Sequence, residues 1–216
     1  MSKKQQAKEN LEAIAERIRL QLYAKDVARE NVLRLCREVI RYSANTIRAV
    51  HRQEQKEADQ LLNSALASSQ KIDIVRQEHS DLLYSGFVHD AQKELAEASI
   101  TLAIVTGKPL PDPDTLGINY PAYLNGLGEA VGELRRYLLD SLRRNDLTRC
   151  EELLVTMDNI YSVLVTMDFP DAITYGLRRT TDSVRGILEK TRGDLTLVLR
   201  QKSLEEMLEQ TAKKKQ

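Results

Sequence analysis

The sequence is poor in the residues that build β-sheets and tight turns. It has no tryptophan, two phenylalanines and eight tyrosines, with only nine glycines and five prolines among 216 residues. Sandwiches and barrels need aromatic and β-branched strands joined by frequent turn residues, so this composition argues against both. Leucine, alanine, glutamate, arginine and lysine are abundant instead, and these residues favour helices. We therefore expect an all-α protein.

Cysteines and long apolar runs are scarce as well. Cys36 and Cys150 are the only cysteines, too few for a disulfide framework or a cysteine-rich zinc site. Both lie in amphipathic segments, where we expect buried thiols. No window approaches the ~18–20 apolar residues that span a bilayer, and the first residues lack the apolar run of a signal peptide. The sequence thus predicts a cytoplasmic protein without a membrane span.

Apolar residues recur at helical spacing along nearly the whole chain. This pattern predicts seven helices in one domain, residues 1–216, with a flexible basic tail at about 210–216. Asp26 is the expected N-cap of the second helix, and the fourth is expected to begin irregularly near Ser80 and Asp81. The alternating prolines of residues 108–117 form the clearest break. The predicted helices cover about 3–24, 26–51, 54–68, 73–107, 119–144, 146–167 and 171 to the tail.

Five arginines form a row along the second predicted helix. At 100° per residue they fall within an arc of about 60° and extend over about 27 Å. Residues 17–52 hold nine Lys/Arg against three Asp/Glu, whereas the whole chain has thirty-two of each sign. Arginine donors match phosphate oxygens, so we interpret the row as a phosphate-binding surface. The alternative is a solvated face, although such faces usually mix both signs. This arginine row consists of Arg34, Arg37, Arg41, Arg48 and Arg52.

Acidic residues at one-turn spacing mark two further predicted helices. Glu94 and Glu97 lie on one flank of the fourth helix, and Glu129 and Glu133 lie one turn apart on the fifth. Carboxylates gathered from two helices repel unless they are protonated or bridged by a cation. Hard oxygen ligands of this kind suit Mg²⁺ or Mn²⁺. Acid pairs at helical spacing are common, so spacing alone leaves a solvated face as the ordinary interpretation.

Three glycines surround the second acid pair: Gly126, Gly128 and Gly132. Each costs about 0.8–1.0 kcal/mol relative to alanine inside a helix. We therefore expect a compensating feature, either close helix approach or access for a bulky ligand. Other catalytic patterns are missing: there is no Glu-x-x-His pair for a di-iron bundle, no glycine-rich phosphate loop and no nucleophile elbow. His89 is expected at the solvent boundary, with RNA contact as the alternative.

Three separated segments, in the same order, resemble the translin family, and within it the translin-associated factor X branch. The first segment reads LRLCREVI over residues 33–40, followed by IRAVHR over residues 47–52. The second reads ELAEA over residues 94–98, and the third reads YLNGLGEAVGEL over residues 123–134. The likeness covers most of the chain and ends near Arg192.

The resemblance implies a seven-helix translin-like bundle whose protomers assemble into a closed, roughly octameric shell with nucleic acid inside. It also implies a Mg²⁺-dependent endoribonuclease, with Mn²⁺ as a substitute. Its metal-binding and catalytic residues would be Glu94, Glu97, Glu129 and Glu133. Glu129 departs from the family, which usually has aspartate there. His51 lies in a matching segment and joins the arginine row as a candidate nucleic-acid-binding residue.

The expected partners are RNA, single-stranded or duplex, and further copies of the chain. Single-stranded DNA is the alternative nucleic acid, and a translin-type paralogue is an alternative subunit. Two other functions remain open at this point. One is a non-catalytic translin-like oligomer that binds RNA or single-stranded DNA, and the other is a purely structural helical assembly.

Overall fold

The computed structural model describes residues 3–78 and 86–213, and the predicted all-α fold is confirmed. Within these ranges there is no β-strand, and six long helices are accompanied by two single-turn helices. The count exceeds the predicted seven because the first two predicted helices form one, the last is divided in two, and the single-turn α4 was not predicted. The helices are α1 (Lys3–His51), α2 (Gln55–Glu78), α3 (Gly86–Thr106), α4 (Pro113–Leu116), α5 (Tyr120–Arg143), α6 (Cys150–Val165), α7 (Asp171–Thr174) and α8 (Leu177–Lys213).

The first two predicted helices are one continuous helix, α1. Asp26, the expected N-cap, lies inside it. Because no glycine or proline occurs nearby and aspartate costs well under about 1 kcal/mol in a helix, nothing stops the helix there. Similarly, α2 continues to Glu78 and includes residues predicted to begin the next helix. The predicted irregular start near Ser80 and Asp81 lies outside the described residues, as do residues 214–216 of the predicted tail.

The last predicted helix is interrupted after a single turn. α7 ends at Thr174 and is followed by Tyr175, whose φ of 53° lies in the left-handed region, and by Gly176 with a φ of 81°. Two consecutive residues of this kind cannot continue a right-handed helix, so the chain turns before α8 begins. Gly176 is the residue in the sequence that indicates this turn. The turn fixes where α8 starts relative to α5.

α3 occupies the centre of the bundle. α1 and α5 both pack against it, α2 covers α1, and α6 and α8 pack on α5. The apolar side of the arginine-bearing helix is buried; Val32, Leu35 and Val39 are each at most 2% exposed. Cys36 and Cys150 are buried free thiols, as predicted, and burial raises the pKa of Cys36 to about 12. This packing places the acid-bearing helices, α3 and α5, side by side.

The N-terminal part of α1 leaves its apolar side chains uncovered in the protomer. Almost all of residues 8–31 are exposed. Leu11, Leu22 and Tyr23 retain 66%, 61% and 71% of their accessible surface. Despite its length, this helix is too polar to cross a bilayer, and every other helix in the described ranges is either too short or too polar to do so.

Candidate metal site and nucleic-acid interface

The two acid-bearing helices approach closely at Gly126. A Cβ atom built there would lie 2.7 Å from the carbonyl oxygen of Lys93 and 2.7 Å from the Cβ of Ala96. Only glycine fits at this separation, so the predicted close helix approach is confirmed. Glu129 follows Gly126 by about one helical turn and therefore lies beside the acids of α3.

Three of the four predicted acids converge. Glu94, Glu97 and Glu129, called here the three-acid cluster, each contribute a carboxylate oxygen within 4.8 Å of the other two. Ligand oxygens on one Mg²⁺, each about 2.1 Å from the ion, lie about 3–4 Å apart. The observed spacing therefore needs only side-chain adjustments to accommodate a cation. The donor set, three carboxylates and no nitrogen or sulfur, is the one that Mg²⁺ and Mn²⁺ prefer.

The cluster is short of positive charge. Burial, followed by the charges of the neighbouring Glu129, Glu94 and Glu133, raises the pKa of Glu97 to about 8. Burial also raises the pKa of Glu94, with the charge of Glu129 as the next cause. Without a cation, Glu97 is therefore largely protonated at neutral pH. A bound divalent ion would favour the ionised carboxylate and return this pKa to a lower value.

One cation of the protein already lies at the edge of the cluster. Lys93 Nζ is 2.7 Å from Oε1 of Glu129. Burial alone would lower the pKa of Lys93, but the hydrogen bond to Glu129 and its charge outweigh burial, and the pKa is raised. The lysine therefore stays charged and neutralises part of the cluster. Sequence reasoning missed Lys93, although its place one residue before Glu94 was visible.

Glu133 is held apart from the three-acid cluster. Its Oε2 lies 2.5 Å from Nε2 of His51, the last residue of α1, and 3.8 Å from Nη1 of Arg136. The hydrogen bond from His51 lowers the pKa of Glu133 and outweighs the effect of burial. Glu133 is thus ionised at neutral pH. The expectation of four acids at one point holds for three, with the fourth fixed beside them by a histidine.

His51 does not lie on the exposed surface that carries the arginine row. Its side chain is only 6% exposed and its Nδ1 has no hydrogen-bond partner among the described residues. It was a candidate for binding nucleic acid, and its burial against Glu133 instead makes it a contact between α1 and the acid site. The sequence pattern missed this because His51 lies at a helix end, where its direction depends on tertiary packing.

The arginine row is exposed along α1, as predicted. Two of its members bind carboxylates: Arg34 pairs with Glu38, and Arg52 pairs with Glu54 and Glu57. The other three have no carboxylate partner among the described residues. Arg37 is solvent-exposed, Arg41 lies over the Tyr42 ring and Arg48 donates to the side chain of Asn45. Because His51 ends the same helix, the row leads towards the acid site.

His89 is buried, contrary to its expected place at the solvent boundary. Its ring stacks on Tyr175, with centroids 4.1 Å apart and an angle of 12° between the planes. Burial lowers its pKa, which favours the neutral ring. The stack could not be predicted, because its tyrosine lies in the turn between α7 and α8. It fixes that turn against the acid-bearing helix α3.

Sequence comparison identifies the family. No protein-family model matches the chain. The uncharacterized protein MJ0175 of Methanocaldococcus jannaschii is 31% identical over 185 residues, which make up 85% of this chain and 82% of that protein. A solved structure of AfC3PO with duplex RNA is 33% identical, has a TM-score of 0.79 and is matched over 95% of its chain. This chain belongs to the translin (C3PO) family.

Other members of the C3PO family share the fold. A second AfC3PO structure gives the same TM-score and identity, with 96% of its chain covered. The apo-NeC3PO structure has a TM-score of 0.77 at 16% identity, which shows a common fold alone. All three likenesses cover 85% of this chain. The family expectation drawn from three short segments is therefore confirmed at the level of the translin fold.

Proposed function

We propose that this protein is a Mg²⁺-dependent endoribonuclease that binds RNA within a self-assembled shell, like the factor X branch of its family. The observation that carries the proposal is the three-acid cluster in a fold whose relative AfC3PO was solved with duplex RNA. Glu94, Glu97 and Glu129 would hold Mg²⁺, or Mn²⁺ in its place. The arginine row supports RNA binding, because three of its exposed guanidinium groups have no carboxylate partner among the described residues and are available to phosphates.

The reaction is hydrolysis of a phosphodiester. The oxygen of a water molecule bonds to phosphorus, one P–O ester bond breaks, and the departing oxygen takes up a proton. Bound Mg²⁺ would supply Lewis-acid polarisation of a phosphoryl oxygen and a more acidic water. Glu133 is the carboxylate suited to accept the proton of the attacking water, because it is ionised and lies outside the three acids that would hold the ion. His51 fixes the orientation of this carboxylate.

Assembly is supported by surface that the protomer does not cover. Apolar side chains of α1 are exposed over two turns and more, and on α8 the exposed apolar residues include Leu197, Leu204 and Leu208. Burying such faces against another copy would remove apolar area from water. Every subunit of a homo-oligomer would carry both acids and arginines, so no separate paralogue would be needed.

The test is cleavage of labelled RNA with Mg²⁺ and with a chelator. We expect cleavage that depends on Mg²⁺, and its loss in Glu129→Gln with RNA affinity retained. Glu151→Gln is the matched control, because Glu151 is an exposed acid on α6 away from the site. Metal-independent cleavage, or full activity in Glu129→Gln, would contradict the proposal.

A non-catalytic RNA-binding oligomer is the second candidate, and one observation favours it. Lys93 already neutralises Glu129, so the cluster has a cation of its own. In that case the wild-type protein would bind RNA and leave it uncut with either Mg²⁺ or Mn²⁺. Lys93→Met would separate the two functions further. Metal affinity should rise if the three-acid cluster is a metal site, and it should stay absent if the cluster only pairs with Lys93.

A further inference from the structure

A cleft of about 420 Å³ opens beside the three-acid cluster, and residues other than the acids line part of it. One wall is formed by Glu97 and Glu129, and the opposite wall by the start of α8. The α8 side contributes Arg179, Thr180 and Ser183. The cleft is thus acidic on one side and carries a guanidinium group on the other.

The start of α8 is held against α5 by one asparagine. Asn125 Nδ2 donates to the carbonyl oxygen of Thr174 (2.9 Å), and Asn125 Oδ1 accepts from the hydroxyl of Thr180 (2.7 Å). Asn125 is 4% exposed, so both bonds lie away from water. Gly128 adds close packing, since a Cβ atom there would collide with the methyl group of Thr180. These contacts fix the position of Arg179 relative to Glu129.

The turn before α8 is anchored to the other acid-bearing helix. The His89–Tyr175 stack joins this turn to α3, about one and a half helical turns before Glu94. Gly176 then follows in the left-handed conformation, and Nη2 of Arg179 lies 4.0 Å from the position a Cβ atom would take on Gly176. Contacts with both acid-bearing helices therefore fix the position of the Arg179 backbone.

Arg179 itself has no carboxylate partner among the residues that the structure describes. Its neighbour Arg178 differs, with Nη2 lying 3.7 Å from Asp168. Other arginines are also paired with carboxylates, such as Arg185 with Glu189 on α8 and Arg149, the residue before α6, with Glu152. An unpaired guanidinium that shares a cleft with carboxylates has its donors available to an anion placed between them.

We propose that Arg179 binds the phosphate of the RNA at the three-acid cluster, where it holds the reacting phosphoryl group against the acids. This inference rests on the proposed function and adds a residue that neither acid pair nor the arginine row contains. Arginine presents paired N–H donors in a geometry that matches two phosphate oxygens. Because charge on these oxygens changes during the reaction, such a donor would act on turnover more than on RNA affinity.

The first experiment measures kcat and KM for RNA cleavage in Arg179→Ala, Arg179→Lys and the control Arg178→Ala. Removing one such donor typically costs about 100-fold or more in kcat. We expect a loss of this size in Arg179→Ala with a small change in KM, a partial recovery in Arg179→Lys, and activity within about twofold of wild type in Arg178→Ala. An unchanged kcat in Arg179→Ala, or a change in KM alone, would overturn the proposal.

The second experiment separates this inference from the proposed function. Inorganic phosphate is titrated into the Mn²⁺-loaded protein, and its affinity is compared between wild type, Arg179→Ala and Arg178→Ala. Weaker phosphate binding in Arg179→Ala alone would support the assignment even if the wild type cuts no RNA, which would remove the proposed function only. Equal phosphate affinity in all three proteins would overturn the assignment of Arg179. Because Arg179 is exposed and unpaired, none of these variants should unfold more readily than wild type.

Discussion

The Nε2 atom of His51 lies 2.5 Å from Oε2 of Glu133, and this contact joins the end of α1 to the middle of α5. The contact with His51 gives Glu133 an environment different from that of Glu94, Glu97 and Glu129. Glu133 has a lowered pKa because His51 donates to it, whereas burial raises the pKa of Glu97 to about 8. Two carboxylates with pKa values moved in opposite directions can take different roles in one reaction. The same contact connects the helix of the arginine row to the acid site.

Stability should depend on pH because of Glu97. The pKa of its carboxyl is about 8 in the folded protein and near 4.5 in the unfolded chain, so between these values the folded state binds more protons. The free energy of unfolding should therefore fall as pH rises through this window, by at most about 1.4 kcal/mol per pH unit from this group. Denaturant unfolding from pH 5 to pH 8, in chelator and at fixed protein concentration, measures the slope.

Glu97→Gln is the comparison for this slope, because glutamine keeps the shape and cannot ionise. The variant should lose much of the decline with pH and be more stable than wild type near pH 8 without metal. Identical slopes in the two proteins would show that Glu97 ionises normally in the fold.

Two glycines of α5 should respond oppositely to alanine. Gly126→Ala places a methyl group 2.7 Å from the carbonyl oxygen of Lys93, so α3 and α5 must separate, at a cost of about 1–3 kcal/mol. Gly132→Ala is the matched control, because its new methyl group would meet only Ile187 at 3.9 Å. It should stabilise the helix by up to about 1 kcal/mol. Thermal or denaturant unfolding distinguishes them, and equal effects would contradict the close approach.

Separation of α3 from α5 should also be visible at the acid site. In Gly126→Ala the oxygen of Glu129 moves away from those of Glu94 and Glu97, so Mn²⁺ affinity should fall together with stability. In Gly132→Ala the affinity should stay near that of wild type. Isothermal titration of both variants at a temperature where each is folded provides the measurement.

RNA affinity should depend on the unpaired members of the arginine row. Arg41→Glu and Arg48→Glu each remove a cation that no carboxylate in the described part of the chain engages, and both should weaken RNA binding and reduce its salt dependence. Each lost phosphate contact lowers the slope of log affinity against log salt by about 0.7 for single strands and 0.9 for duplexes. Arg185→Glu is the control, since Arg185 pairs with Glu189 on α8. Unchanged affinity and slope would leave the row as a solvated face.

Much of the fold follows directly from the sequence. The long helices were predicted from apolar residues that recur with a period of 3.6, because each helix buries one stripe against its neighbours. Helix ends were less predictable. Asp26 has the chemistry of an N-cap, but capping preference is weaker than the cost of breaking a helix that has no glycine or proline. The turn at Tyr175 was missed because a tyrosine in the left-handed region is set by tertiary contacts.

Helical spacing predicted only those features of the candidate site that lie on a single helix. Glu94 with Glu97, and Glu129 with Glu133, share a helix face by geometry, and Gly126 signalled that the two helices approach closely. Spacing within one helix cannot reveal a partner on another helix. For that reason Lys93 beside Glu129, His51 beside Glu133 and Arg179 across the cleft emerged from packing alone.

Mn²⁺ binding tests the central claim, that Glu94, Glu97 and Glu129 form a cation site. We expect the wild type to bind Mn²⁺ at pH 7 and to release about one proton per ion, because Glu97 must ionise to become a ligand. Titration calorimetry in buffers of different ionisation enthalpy measures both quantities. Loss of outer partners alone costs about 10–100-fold in metal affinity, so Glu97→Gln should lose at least as much, together with the proton release. Wild-type protein that binds no Mn²⁺, or Glu97→Gln that binds it equally well, would contradict the account.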